Sequence, residues 1–463
     1  MRKAIIALIT GVLSTGVNAT TFEVEGLRFQ IANPDERLSC SVTYSAEGNY
    51  KGDITIPTSV VYEGTEYTVT GIEDYAFAGC EGITSVKIPE TVANIGRNAF
   101  SDCSSLENIE IPTAVKIIET QTFYHCTSLQ GIKAMGVQTI GASAFSNCTI
   151  LFDLKLNENL KYVGESGFLN CESLQSIKMG EGTTIGSGAF RGCTSLKEIV
   201  IPSTMTVIPD YAFSRCTALE KVKGSDFIIE IGKNAFENCS SLQKFEFSPS
   251  LVSIGSYAFA FCSALQQETV NGNSAVIGDY AFTGCQTLTT IELRGIVEIG
   301  EEAFANDTNL EKVSFDGTMH FIRSRAFRNC NSIRSVVSEV GIPPFMETHS
   351  FPDKVYSNAL LEVPYGTGML YRQTPPWSYF LNVAELPDVG VEIIPDDPCR
   401  LKTITDGRIL TVIGPEGVLV IYTADGLKLL EINKGEEDFR TEVPFNGIYV
   451  ISLNEYSSKI AIK

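Results

Sequence analysis

The most chemically versatile side chains of this 463-residue chain are thirteen cysteines and three histidines. Such residues support three kinds of chemistry: a thiolate nucleophile activated by an imidazole, a metal held by thiolates and imidazoles, or a framework of disulfides. Spacing decides among them. His125 adjoins Cys126, whereas His320 and His349 stand apart, and none of the three falls in a metal-binding pattern such as H-E-x-x-H. Ser166 lacks the full G-x-S-x-G context of a hydrolase nucleophile. Asp396 and Asp397 sit between Pro395 and Pro398, which suits a solvated linker better than a calcium loop. The expectation is no catalytic residue, no metal site and no cofactor, so the chain reads as a non-enzyme.

The cysteines instead mark a period. Cys80, Cys103, Cys126, Cys148, Cys171, Cys193, Cys216, Cys239, Cys262 and Cys285 recur every 22 or 23 residues; Asp307 then takes the expected place and Cys330 resumes the series. A phenylalanine stands three residues before each, from Phe77 to Phe327, making twelve copies of one unit. Within the copy at 95–112, Leu106, Ile109 and Ile111 alternate as in a strand ended by Pro112, while Ala99, Phe100 and Cys103 have the spacing of one helical turn. One copy cannot bury its apolar face. Stacked copies can, with parallel strands about 4.8 Å apart, so the fold class expected is a repeat solenoid. Equivalent cysteines would then lie about one strand spacing apart, farther than the Cβ separation of about 3.8 Å that a disulfide prefers, and are expected to be buried free thiols. Cys40 and Cys399 lie outside the series, too far apart along the stack to pair with each other.

The unit I-G-x-x-A-F-x-x-C-x-x-L-x-x-I-x-I-P resembles the BspA-like leucine-rich repeats, over about residues 71–345. The resemblance extends to the flanks. Residues 20–70, with Tyr50-Lys51-Gly52-Asp53-Ile54-Thr55-Ile56-Pro57, resemble a β-rich leading cap; residues 346–386, with Leu361-Glu362-Val363-Pro364 and Trp377-Ser378-Tyr379-Phe380, resemble a closing cap. Residues 387–397 read as a proline-rich linker. From 398 to 463, strand-like runs separated by glycine turns suggest a small β-sandwich, and Gly447-Ile448-Tyr449-Val450 with the closing Lys459-Ile460-Ala461-Ile462-Lys463 resembles the sorting domains of the type IX secretion system. The family resemblance implies a cell-surface or secreted protein that adheres to host proteins or other cells.

Export is also written at the N-terminus. Arg2 and Lys3 precede an apolar run to about Leu13, and Val17-Asn18-Ala19 supplies small residues for cleavage, so residues 1–19 read as a signal peptide. No cysteine follows the cut, so a lipid anchor is not expected, and no later run has the length of a membrane-spanning helix. The chain carries 35 basic against 55 acidic residues, a net charge of −20, with no concentrated basic block; nucleic acid is therefore excluded as the expected partner.

If Ile109 and Ile111 point inward, Asn108 and Glu110 point outward, and stacking turns each into a column along the strand face. Both columns together contain eight lysines and five acids. The candidate ligand-binding residues are Lys133, Lys155, Lys178, Lys221, Lys223 and Lys244, a basic row suited to an acidic glycan or an acidic extracellular protein segment. The competing readings are a row of lysines that merely keeps a strand face soluble, and a structural or assembly component of the cell envelope. One copy breaks the pattern: Glu268 falls between Leu265 and Val270, where an inward apolar residue is expected, so either the strand shifts or the acid finds a partner.

Overall fold

The computed structural model describes residues 19–31, 38–45 and 50–387, and beyond them the strands between 402 and 462. The expected signal peptide, apart from Ala19, and the expected linker beyond Pro387, with Asp396, Asp397 and Cys399, lie outside the described residues. The chain divides into two compact units, 1–387 and 388–463.

The first unit is a β-solenoid of about 14 turns. Its leading end is a mostly antiparallel sheet containing Thr20–Val24, Leu27–Ile31, Ser39–Thr43, Ser59–Tyr62 and Thr65–Ile72. Glu25-Gly26 and Glu63-Gly64 close its two hairpins with positive φ at both residues, the turn geometry that follows strand twist. This sheet shields the first coil through Tyr50, whose ring meets Phe77 at 5.1 Å and whose hydroxyl donates to the Thr43 carbonyl. Strand Lys51–Thr55 then pairs in parallel with Gly82–Lys87 and starts the main stack.

Each following coil has three sides. A main strand such as Gly131–Ala134 pairs in parallel with its equivalents Asn108–Glu110 on one side and Asp153–Leu156 on the other. A two-residue strand such as Ile117–Ile118 does the same with Thr139–Ile140. The third side, expected as a helical turn, is a run of β-turns. Asn98 and Asp102 have φ of 54° and 59°, a left-handed conformation that cannot propagate a right-handed helix. Within the coil, Ala99 N–H donates to Gly96, Ser101 to Asn98 and Cys103 to Phe100; the alternate N–H groups of Asn98, Phe100 and Asp102 donate to Thr120, Thr122 and Tyr124 of the next coil. Every amide of this corner is therefore paired without a helix, which satisfies the requirement that buried backbone be hydrogen-bonded.

The turns aim Ala, Phe and Cys inward. The phenylalanines from Phe77 to Phe327 are fully buried and stack ring on ring, with neighbouring centroids such as Phe100 and Phe123 5.4 Å apart. Phe351 stacks on Phe327 at 4.6 Å, so the spine runs past residue 345, where the repeats were expected to stop. Its motif there reads His349-Ser350-Phe351 with no following cysteine, which hid it. Strands Leu360–Val363 and Asn382–Glu385 extend the parallel ladder further. Trp377 and Tyr371 fill the end of the core, the indole N–H donating to the Pro344 carbonyl at 2.7 Å and the Tyr371 hydroxyl donating to that of Val340.

The described cysteines are free and buried. From Cys103 onward the repeat thiols donate to the carbonyl of the preceding coil's phenylalanine, as Cys103 does to Phe77 at 3.2 Å and Cys216 to Phe190 at 3.1 Å. Burial pushes these thiols up, to about 12 for Cys148 and Cys216, so they are weak nucleophiles. Asp307 occupies the same position, wholly buried: one carboxyl oxygen accepts from the Cys285 N–H at 2.7 Å and the other has no partner. Desolvation raises its pKa well above the ordinary carboxylate value.

The second unit contains a three-stranded antiparallel sheet, Lys402–Asp406, Ile409–Ile413 and Phe439–Glu442, and a four-stranded antiparallel sheet ordered Lys428–Lys434, Gly417–Thr423, Gly447–Leu453, Tyr456–Ile462. Leu410, Val412, Leu419, Ile421 and Ile451 form one small core drawn from both sheets. Among the described residues no helix is long and apolar enough to cross a membrane.

Candidate functional site

The main strands alternate as their sequence dictates. Ile109, Ile132, Ile199 and Val222 are buried, and the residues flanking them on the strand point outward. Parallel pairing places Lys133 beside Glu110 and Lys155, Lys221 beside Glu198, and Lys244 beside Lys221, so the two columns exist in the expected register.

The row is not, however, a bare line of positive charge. Lys133 is paired with Glu110, Lys155 with Asp153 at 3.0 Å, Lys223 with Glu198 at 2.7 Å, and Lys178 with Glu158. Glu158 lies in the turn beyond the preceding strand, outside both columns, and a count of column charges could not find it. These pairs are exposed, so each adds little to stability, but each offsets the field its lysine would project. Lys221 and Lys244 differ: both are exposed, adjacent across the coil boundary, and without a carboxylate partner among the described residues. The six candidate lysines therefore separate into four that are neutralised locally and a dyad that is not.

Two coils interrupt the strand face. Residues 175–181 form no strand, and the parallel ladder stops at Asp153–Leu156 and restarts at Glu198–Val200. Around Lys244 the ladder is reduced to one bridge, and the inward positions carry Phe245 and Phe247, whose rings pack edge-on against Phe259. The next coil resolves the irregularity at Glu268. Gln267, expected on the outward column, is 6% exposed and caps the unpaired backbone: its carbonyl oxygen accepts from the Phe245 N–H and its amide donates to the Thr269 carbonyl. Glu268 points to solvent and Val270 returns to the core. The two side chains have exchanged faces, since a neutral amide with both partners supplied can be buried at far lower cost than a carboxylate.

His125 does not face the thiol beside it. Its imidazole lies on the Tyr124 ring at 4.3 Å and its Nδ1 approaches the Asp102 carboxylate at 3.4 Å, while the Cys126 thiol donates inward to the Phe100 carbonyl. Among the described residues no three His, Cys, Asp or Glu side chains gather as metal ligands.

The geometry can be set beside known proteins. The profile of the BspA type leucine rich repeat region matches residues 58–136, 133–243 and 206–334, more than half the chain. No curated protein gives a significant sequence match. Among solved structures, a leucine-rich repeat protein from Bacteroides ovatus is 26% identical, aligned over 79% of this chain and 99% of its own, with a TM-score of 0.58. A leucine rich cell surface protein from Faecalibacterium prausnitzii is 24% identical over 70% of this chain and 95% of its own, with a TM-score of 0.41. The pneumococcal vaccine antigen PcpA is 17% identical over 75% and 94%, with a TM-score of 0.43.

Proposed function

Because the chain belongs to the BspA-type leucine-rich repeat family, we propose that it is an exported surface or secreted binding protein whose strand face captures an acidic extracellular ligand, a sulfated or sialylated glycan or an acidic protein segment. The observation that carries this reading is the Lys221–Lys244 dyad, two exposed lysines paired across neighbouring coils with no ion-pair partner among the described residues. Keeping like charges adjacent costs free energy unless a counter-charge arrives, and a ligand with anionic groups supplies it. The four paired lysines flank the dyad and can exchange their internal carboxylates for ligand anions at the rim. In the same reading, residues 1–19 direct export and the unit from 398 to 463 assists delivery to the surface.

The test uses the mature protein and a sulfated glycosaminoglycan chain as probe. Binding weakens as salt rises, because exposed charges are screened within about 8 Å at physiological ionic strength. Lys221→Glu with Lys244→Glu reduces affinity more than the same change at Lys133 and Lys155. A chain that binds no polyanion, or binds it equally after all these changes, removes this reading. Concentration-dependent polymers of the purified protein would favour an envelope assembly component instead. Deleting 398–463 leaves the solenoid folded but not delivered; normal delivery of the truncated chain assigns that unit another role.

A further inference from the structure

Each corner of the solenoid presents two left-handed residues outward. At the second of these positions eleven coils carry Gly, Asn, Asp, His or Arg, residues that are short, polar or free of a side chain. One coil carries Phe261, at φ 61°. A bulky apolar residue is disfavoured there, and this one is 47% exposed, so neither backbone preference nor burial accounts for it. The next coil has Gly284 at the matching position, and the Cδ1–Cε1 edge of the Phe261 ring occupies the space a side chain at Gly284 would need. The first position of the same two coils carries Tyr257 and Tyr280, stacked at 4.7 Å and within 8° of parallel. Three aromatic side chains thus stand on two adjacent coils, the tyrosines ring on ring and Phe261 over the Gly284 backbone, at the turn edge and away from the lysine-bearing strands.

The surroundings are polar. Asn234 and Asn238 hold the equivalent positions of the preceding coil. On the other side Glu302 accepts from Arg328 at 3.1 Å and from Arg325 at 3.3 Å; its side chain is 8% exposed, while both arginines are half exposed. Three aromatic side chains are far fewer than a stable protein interface uses, some 20 to 30 residues a side. A sugar ring is the right size. Its C–H face meets the electron-rich face of an aromatic ring, while its hydroxyl groups need amide and guanidinium partners at the edge.

We propose that Tyr257, Phe261 and Tyr280 form a stacking platform for a neutral carbohydrate chain, with Asn238 and the Arg325–Arg328 pair as flanking hydrogen-bond partners. This site is independent of the strand face and of the acidic ligand proposed for it. The platform crosses a coil boundary, which suits an extended chain contacted by successive sugars.

The experiment takes the full mature protein and neutral hexasaccharides of glucose, mannose, xylose or N-acetylglucosamine, followed by saturation-transfer NMR and titration calorimetry. At least one binds, with little dependence on salt, because stacking is not a charge interaction. The variant Tyr257→Asn with Phe261→Asn places at each position a residue other coils already use in that conformation, so the fold is retained. It lowers affinity about tenfold or more, in line with the loss of one or two stacked rings. Lys221→Glu with Lys244→Glu leaves sugar binding unchanged, which separates this site from the strand face. The proposal is overturned if none of the four sugars binds, or if binding survives the asparagine variant. It is equally overturned if the variant only converts a self-associated protein to monomer, since the rings would then be a contact between copies.

Discussion

The turn side and the strand side of the same coil follow different rules. On the turn side the hydrogen bonds between coils persist through the coil that lacks a main strand: the Phe168 N–H donates to the Ala189 carbonyl and that of Phe190 to Ala212, at 2.8 and 2.9 Å. On the strand side the ladder fails at 175–181 and thins to a single bridge at Lys244. The reason is geometric. At the corner each coil must accept the ring of the coil below and offer an identical surface to the one above, so a change in one coil is felt by two neighbours. The strand side fixes only the apolar character of its inward residues, such as Ile109 and Ile111, and most of its outward side chains meet solvent. Repetition is therefore enforced at the turns and relaxed at the strands, which leaves the strands free to carry a binding surface.

The largest effect is expected where repetition is strictest. Phe213→Ala, in mid-spine, removes contacts with Phe190 and Phe236 and should destabilise the solenoid by about 3 to 5 kcal/mol, read by urea denaturation. The native protein should resist thiol labelling at the repeat cysteines until denaturant is added; rapid native labelling would mean that the spine is not closed.

Asp307 is the natural exception within the enforced side. Because its folded pKa is raised, its contribution is fullest below the unfolded value of about 3.9 and is lost as pH rises toward the folded value, at about 1.4 kcal/mol per pH unit. Asp307→Cys, which restores the repeat, should lack this slope, so its stability advantage over the natural protein should widen as pH rises above the unfolded carboxyl value of about 3.9. Parallel pH profiles would show the carboxyl to be solvated.

Gly164→Ala probes the same side more gently. An added Cβ would meet the Ala142 nitrogen and the Gly141 carbonyl carbon at 2.6 Å, both backbone, and the cost should be about 2 kcal/mol. The smallest effect belongs to the strand side. Lys178→Ala or Lys223→Ala breaks an exposed pair and should change stability by less than about 0.5 kcal/mol. A loss as large as that of Phe213→Ala would abolish the contrast between the two sides.

The irregular positions show what periodicity can conceal. A helical turn at Ala99, Phe100 and Cys103 follows from spacing alone, because spacing does not report the sign of φ at Asn98 and Asp102. Asparagine and aspartate at those positions were the available signal, being the residues that tolerate a left-handed backbone. The inward turn of Gln267 has no such local mark; it follows from the unpaired Phe245 N–H one coil away. The six lysines were legible as a row, but their electrostatic state was not, since Glu158 reaches Lys178 from a turn twenty residues earlier.

The 22- or 23-residue spacing of Phe and Cys was sufficient to define the solenoid, its parallel strands, its buried thiols and, Gln267 excepted, the lie of its outward columns. A repeated environment imposes the same requirement on every copy, so the requirement can be read directly from the chain. Pairing between coils decided the rest: which lysines are neutralised, which face Gln267 and Glu268 take, where Phe351 continues the spine, and how Phe261 comes to lie over Gly284 and Tyr257 on Tyr280. These depend on side chains some twenty residues apart meeting across one coil spacing, and only the stacked structure brings them within reach.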